Sequence, residues 1–124
     1  MHELTQFAFE LPDIEEWLAG DSRTLAFTVV DADGNAVDVS GATFSWALFD
    51  RDYQTDAADA VIDGSSSGVE IVTDNRVDTT AGQWEVRLDP GATESLWGEY
   101  YQRPEIEQTD GSTASWRGDV ILTA

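Results

Sequence analysis

Gln83-Trp84-Glu85-Val86-Arg87-Leu88 alternates polar and apolar residues without a break. A period of 2 puts Trp84, Val86 and Leu88 on one side of an extended chain and Gln83, Glu85 and Arg87 on the other, with Asp89 following on that second side. This is a half-buried strand; wound as a helix, the same residues would scatter their apolar set around the axis. Asp89-Pro90-Gly91 stops it. Ala92 to Leu96 then has the length for one helical turn that drops Leu96 onto the core.

The same alternation extends upstream. Leu25, Phe27 and Val29 alternate with Thr24, Ala26 and Thr28. Asp31-Ala32-Asp33-Gly34-Asn35 reads as a turn, with Gly34 and Asn35 both suited to positive φ. Val37 and Val39 follow, then a second turn at Ser40-Gly41. Phe44, Trp46 and Leu48 form the next inward set, with Thr43 and Ser45 facing out. A polar stretch from Asp50 to Asp59 leads to a short strand over Ala60 to Ile62, closed by the Gly64–Gly68 loop. Val69 and Ile71 alternate with Glu70 and Val72, and Thr79-Thr80-Ala81-Gly82 is a turn.

Downstream, Gly98 opens a strand with Tyr100 and Ile106 on one face and Tyr101, Arg103, Glu105 and Glu107 on the other. Pro104 lacks a donor, which favours a sheet edge or a bulge. Asp110-Gly111 signals a hairpin. The last strand points Trp116, Val120 and Leu122 inward and Arg117, Asp119 and Thr123 outward. Seven to eight short strands joined by Gly- and Asp-rich turns predict an all-β fold over residues 20–124. The expected architecture is an immunoglobulin-like antiparallel β-sandwich, for which roughly 100 residues suffice. With no cysteine in the chain, its core rests on apolar burial, chiefly of Trp46, Trp84, Trp116, Phe27 and Phe44.

Residues 1–19 read as a separate N-terminal arm. Phe7, Phe9 and Leu11 alternate as a strand. After Pro12, Asp13 and Glu16 can form a box-like cap for a short helix whose apolar stripe is Ile14, Trp17 and Leu18, with Gly20 as its stop. Such an arm packs on its own sandwich or docks on a neighbouring subunit. Met1 to Leu11 has neither the basic start nor the apolar core of a signal peptide.

The 124 residues carry 25 acidic side chains against six arginines and no lysine, a net charge of −19. That charge repels nucleic acid and anionic lipid, so neither is an expected partner. Five tryptophans argue for a folded acidic domain over a disordered tail. The acids are dispersed and Asp outnumbers Glu. At about 1 M salt the Debye length falls to roughly 3 Å, so such a surface suits a protein working in molar salt.

No sequence motif assembles a catalytic, metal or cofactor site. Asp31-Ala32-Asp33-Gly34 resembles the start of a calcium loop, but its twelfth position is Ala42. Asp50, Asp52, Asp56, Asp59 and Asp63 read as a solvated loop. His2 is the only histidine and sits at a terminus, a poor place for a general base. Of the aromatics, Trp17, Tyr53, Trp97 and Tyr101 are the candidates for exposure, and stacking of such rings on sugar is the basis of a carbohydrate-binding alternative. The candidate contact residues are Phe7, Phe9, Ile14, Trp17, Leu18, Trp97 and Tyr101.

The order of motifs is distinctive. Gly20-Asp21-Ser22-Arg23-Thr24-Leu25 leads into Phe27-Thr28-Val29, and Asp31-Ala32-Asp33-Gly34-Asn35 precedes Val37-Asp38-Val39-Ser40-Gly41-Ala42-Thr43. Gly82-Gln83-Trp84-Glu85-Val86, Asp89-Pro90 and Gly98-Glu99-Tyr100-Tyr101 follow. This resembles the Ig-like domains of tailed-phage structural proteins, such as the N-terminal domain of baseplate upper proteins. The resemblance covers residues 20–123; the arm is additional to it. Together with the acidic surface it implies a non-enzymatic virion component of a tailed virus of a halophilic archaeon, in the tail, the baseplate or on the head surface. The implied partners are other virion proteins in a symmetric oligomer, with host-surface glycan as a further ligand; no cofactor is implied.

Overall fold

A computed structural model describes residues 8–10, 17–18, 20–51, 56–115 and 118–123. Ten strands fall among them: β1 (Ala8–Glu10), β2 (Trp17–Leu18), β3 (Arg23–Val30), β4 (Thr43–Phe49), β5 (Ile62–Asp63), β6 (Val69–Val72), β7 (Gln83–Leu88), β8 (Gly98–Glu107), β9 (Thr113–Ser115) and β10 (Gly118–Thr123). They form two sheets, one in the order β1-β3-β7-β6 and one in the order β2-β10-β8-β4-β5, with β9 also paired to β8. The fold is an Ig-like β-sandwich. Two of the ten, β1 and β2, lie within residues 1–19, and the eight from β3 to β10 match the seven to eight strands expected over residues 20–124.

The inward sets meet between the sheets. Leu25, Phe27 and Val29 of β3, Trp84, Val86 and Leu88 of β7, Trp46 and Leu48 of β4, Ile106 of β8, and Val120 and Leu122 of β10 are all buried. Phe27 stacks on Trp84 at 4.7 Å between ring centres, and Phe44 tilts against the same indole at 5.1 Å. Such pairs add about 0.5–1.5 kcal/mol beyond their burial. Trp116 lies outside the described residues.

The turns follow the Asp and Gly signals. Gly34 donates to the Asp31 carbonyl at 3.0 Å and adopts φ +85°. Asn35 does not share that conformation, because glycines alone have positive φ among the described residues. The β8–β9 hairpin closes with the Gly111 N–H on the Gln108 carbonyl at 2.9 Å, as Asp110-Gly111 predicts. Gly82 has φ +79°, and a Cβ there would stand 2.6 Å from the Val29 carbonyl oxygen, so glycine is required on two counts.

Several expectations shift. The strand expected over Ala60–Ile62 is Ile62–Asp63, and the helical turn α1 runs Pro90–Thr93 rather than from Ala92 to Leu96. Leu96 still packs on the core. Val37 and Val39 lie past the β3 turn in irregular chain that the bridge Val30↔Ala36 starts, and Val39 is buried.

Pro104 sits in β8, an interior strand of its sheet, opposite Trp46. The Trp46 carbonyl accepts from Gly64 on the β5 side at 2.9 Å, so the backbone groups of this pair point away from one another. The missing donor of Pro104 therefore faces the other flank. There the pairing passes from β10 at Gln102 to β9 at Glu105, skipping Pro104.

The helix expected after Pro12 does not extend over Trp17 and Leu18. These two residues pair in parallel with Leu122 and Thr123 of β10. A helix of so few residues is marginal alone, and the open edge of β10 offers hydrogen bonds that it cannot. Residues 8–10 pair antiparallel with Val30, Val29 and Thr28 of β3. The two strands described among the first 19 residues are thus seated on their own sandwich, one on each sheet.

Candidate functional site

Five of the seven contact candidates fall among the described residues, on β1, on β2, and just before and within β8. Phe7 and Ile14 lie outside the described residues, as does Tyr53. Phe9 is held in β1 opposite Val29, and Trp17 and Leu18 are held in β2. Trp97 is 71% exposed, between α1 and β8, and its backbone N–H and C=O both meet the Tyr100 hydroxyl, at 3.2 and 3.3 Å. Tyr101 is half-buried on the outer face of β8, between Phe49 and Asp119 in the ladder. Three residues of extended chain lie between it and Trp97, a span of roughly 13 Å.

The aspartates have local work. The Asp31 carboxylate accepts from the N–H groups of Asp33 (2.9 Å) and Asn35 (3.0 Å). With the Asp31 N–H on the Asn35 carbonyl at 2.9 Å and the antiparallel bridge Val30↔Ala36, the loop is the expected hairpin turn. Asp38 accepts from Ser40 N (2.9 Å) and Oγ (2.6 Å), and Asp63 accepts from Ser65 N (2.9 Å) and Oγ (2.6 Å). Asp56, Asp74, Asp78 and Asp110 each accept from the N–H two residues on. Among the described residues seven aspartates thus fold their own turns, because a carboxylate on a short stem reaches that N–H and a glutamate stem is too long. Part of the excess of Asp over Glu is therefore turn chemistry and not solvent adaptation.

These bonds shift titration. Hydrogen bonding from Ser40 holds the Asp38 carboxyl below its ordinary value, and Ser65 does the same for Asp63. Arg76 lies between Glu70 (2.7 Å) and Asp74 (2.9 Å), lowers both carboxyls and has its own pKa raised by them. Arg87 pairs with Glu85 at 3.0 Å and Arg103 with Glu105 at 3.3 Å. All are surface pairs, weakened by solvent screening. Among the described residues no three acidic or histidine side chains converge as a metal site.

Sequence reasoning missed two features of the sheet containing β4. Gln102 points into the core, 1% exposed, and its Oε1 accepts from the Trp46 indole N–H at 3.0 Å. Phe49 is buried although its register puts it with Tyr101 on the outer face. Val72, expected to face out beside Glu70, is likewise buried. A cavity of about 420 Å³ opens along β4, lined by Phe44, Ala47, Phe49, Gly64, Ile71 and Arg103 among others. Its signal in the sequence is the glycine-serine run after Asp63, which ends β5 after two residues.

No protein-family model and no curated protein matches the chain. Its structure is similar to the N-terminal Ig1-2 module of the Drosophila receptor protein tyrosine phosphatase DLAR, with TM-score 0.53 and 12% identity over 98% of this chain and 48% of that one. The chain thus spans about half the length of that module. It is also similar to the Lin-41 filamin domain, with TM-score 0.51 and 12% identity over 96% of this chain and 93% of that one. At such identities the likeness establishes the fold: an Ig-like β-sandwich module.

Proposed function

We propose that the chain is a non-enzymatic structural module of a virion, in a tailed virus of a halophilic archaeon, and that it makes contacts between subunits of the tail, baseplate or head surface. The observation that carries the reading is a lysine-free acidic coat of net charge −19 on an Ig-like sandwich. The motif order from Gly20 to Tyr101 supports the viral assignment. The carboxylates described above are engaged in turns and arginine pairs, which suits a scaffold more than an acid–base centre. In molar salt long-range charge steering is screened, so assembly contacts lean on apolar burial and main-chain hydrogen bonds.

Mass spectrometry of purified particles tests the assignment. The chain is expected at a fixed ratio to the major capsid or tail protein. Its presence only in the soluble lysate refutes the reading. The halophilic part has a separate test: the unfolding midpoint is expected to rise as KCl goes from 0.1 to about 2 M, as self-repulsion is screened. A midpoint independent of salt refutes it.

Exposure of Trp97 favours a second reading, a carbohydrate-binding module. It predicts a monomer whose tryptophan emission is quenched by glycan and ceases to respond in Trp97→Ser.

A further inference from the structure

We propose that the open edge of β4 accepts an extended, cationic segment of another protein as an added strand. The proposal rests on the reading of the chain as an assembly module and names the partner chemistry of one contact.

The edge is defined by its hydrogen bonds. Gly64 N–H donates to the Trp46 carbonyl at 2.9 Å and Val61 N–H to the Leu48 carbonyl at 2.8 Å. The even-numbered residues of β4 therefore turn their backbone groups toward β5. β5 covers only Ala47 and Leu48. The Phe44 N–H and C=O face the same way, beyond the end of β5, with no partner among the described residues.

β5 cannot lengthen to cover them. The Asp63 carboxylate holds Ser65, and the Ser66 N–H donates to the Asp63 carbonyl at 3.0 Å, so the chain turns away to β6. A Cβ on Gly64 would come 2.5 Å from Ile71 Cδ1, so the turn is also packed tightly on β6. What remains is the cavity of about 420 Å³ beside an unpaired strand segment. An unpaired edge is a template for strand addition.

The surroundings choose the occupant. In a strand laid along Thr43, Phe44 and Ser45, alternate side chains point to opposite faces. One set meets Phe44 and Ile71, which fits a small apolar residue such as valine. The other set meets the outer face at Thr43 and Ser45, opposite Glu107 and Glu105. There Asp63, Glu105 and Glu107 stand against Arg103, which already pairs with Glu105 at 3.3 Å. Three carboxylates against one guanidinium fit arginine or lysine. A second copy of this chain is a poor occupant, because it brings the same acidic edge and 19 further negative charges.

The probe is acetyl-Arg-Val-Arg-Val-Arg-amide, titrated into the full chain by amide NMR at the lowest KCl concentration that keeps a native circular dichroism spectrum. Shifts are expected at Phe44, Trp46 and Gly64, with exchange of the Phe44 amide slowed at least tenfold at saturation. The peptide with every backbone amide methylated, and the peptide with Glu for Arg, are each expected to bind at least tenfold more weakly. Ser45→Arg, at an exposed position on the outer face, is expected to weaken binding similarly at an unchanged unfolding midpoint. Equal binding of the methylated peptide, or shifts spread over the acidic surface, overturns strand addition. Equal binding of the Glu peptide overturns the cationic partner. No binding of the Arg peptide, with the chain present in particles, overturns the edge site alone. Absence from particles, with the peptide still bound at β4, overturns the assembly reading alone.

Discussion

Replacing Gln102 with leucine removes the acceptor of the Trp46 indole while keeping nearly the same side-chain shape. Both residues are about 1% exposed and their contact is 3.0 Å long. The indole N–H would then be buried without its acceptor, at a cost of about 1–3 kcal/mol. Trp46→Phe removes the donor instead. It strands the Gln102 carbonyl oxygen and opens a cavity, so a loss of roughly 2–4 kcal/mol is expected. The double variant strands neither group, so its loss should fall short of the sum of the single losses by about 1–2 kcal/mol. Urea unfolding in 2 M KCl, followed by circular dichroism, measures all four proteins. Equal m-values keep the comparison valid. A coupling below about 0.3 kcal/mol refutes the reasoning, because the bond would then contribute nothing beyond the shape of its partners.

Gly82→Ala forces a left-handed Cβ within 2.6 Å of the Val29 carbonyl oxygen, so a loss of about 3 kcal/mol is expected, and one below about 1 kcal/mol in the same assay refutes the close approach. Asp38, Asp63, Glu70 and Asp74 have folded-state pKa values below their ordinary ones, so their stabilisation is complete above the usual carboxylate range and is lost as pH falls through the lowered values. Unfolding midpoints should therefore drop below about pH 4, and Asp63→Asn should make that acid limb shallower; an unchanged limb counts against the Ser65 contact. Trp97→Ser should leave stability within about 0.5 kcal/mol, since the ring is 71% exposed, and a larger loss would mean that it packs on something.

The turns were readable because their chemistry is local. Asp31, Asp63 and Asp110 bond N–H groups two residues away, and Gly34 and Gly111 supply the positive φ beside two of them. The inward faces of β3, β4 and β7 were readable because a strand alternates with period 2, so Phe27, Trp46 and Trp84 appear as a set without knowledge of their partners. Of the contact candidates, Trp97 is exposed as expected. The reading failed where a second element decides the outcome. Trp17 and Leu18 have helical spacing, but the edge of β10 draws them into a strand.

By itself, then, the amino-acid sequence determined the class of fold, the positions of most strands and turns, and the acidic character of the surface, all of which depend on residues a few positions apart. Only the tertiary structure decided that Gln102 belongs in the core, that Phe49 and Val72 are covered, and that part of the β4 edge has no partner among the described residues. Alternation tells which residues share a face, but not what covers that face. Whether Phe44 finds a hydrogen-bonding partner depends on where β5 ends, nearly twenty residues further along the chain.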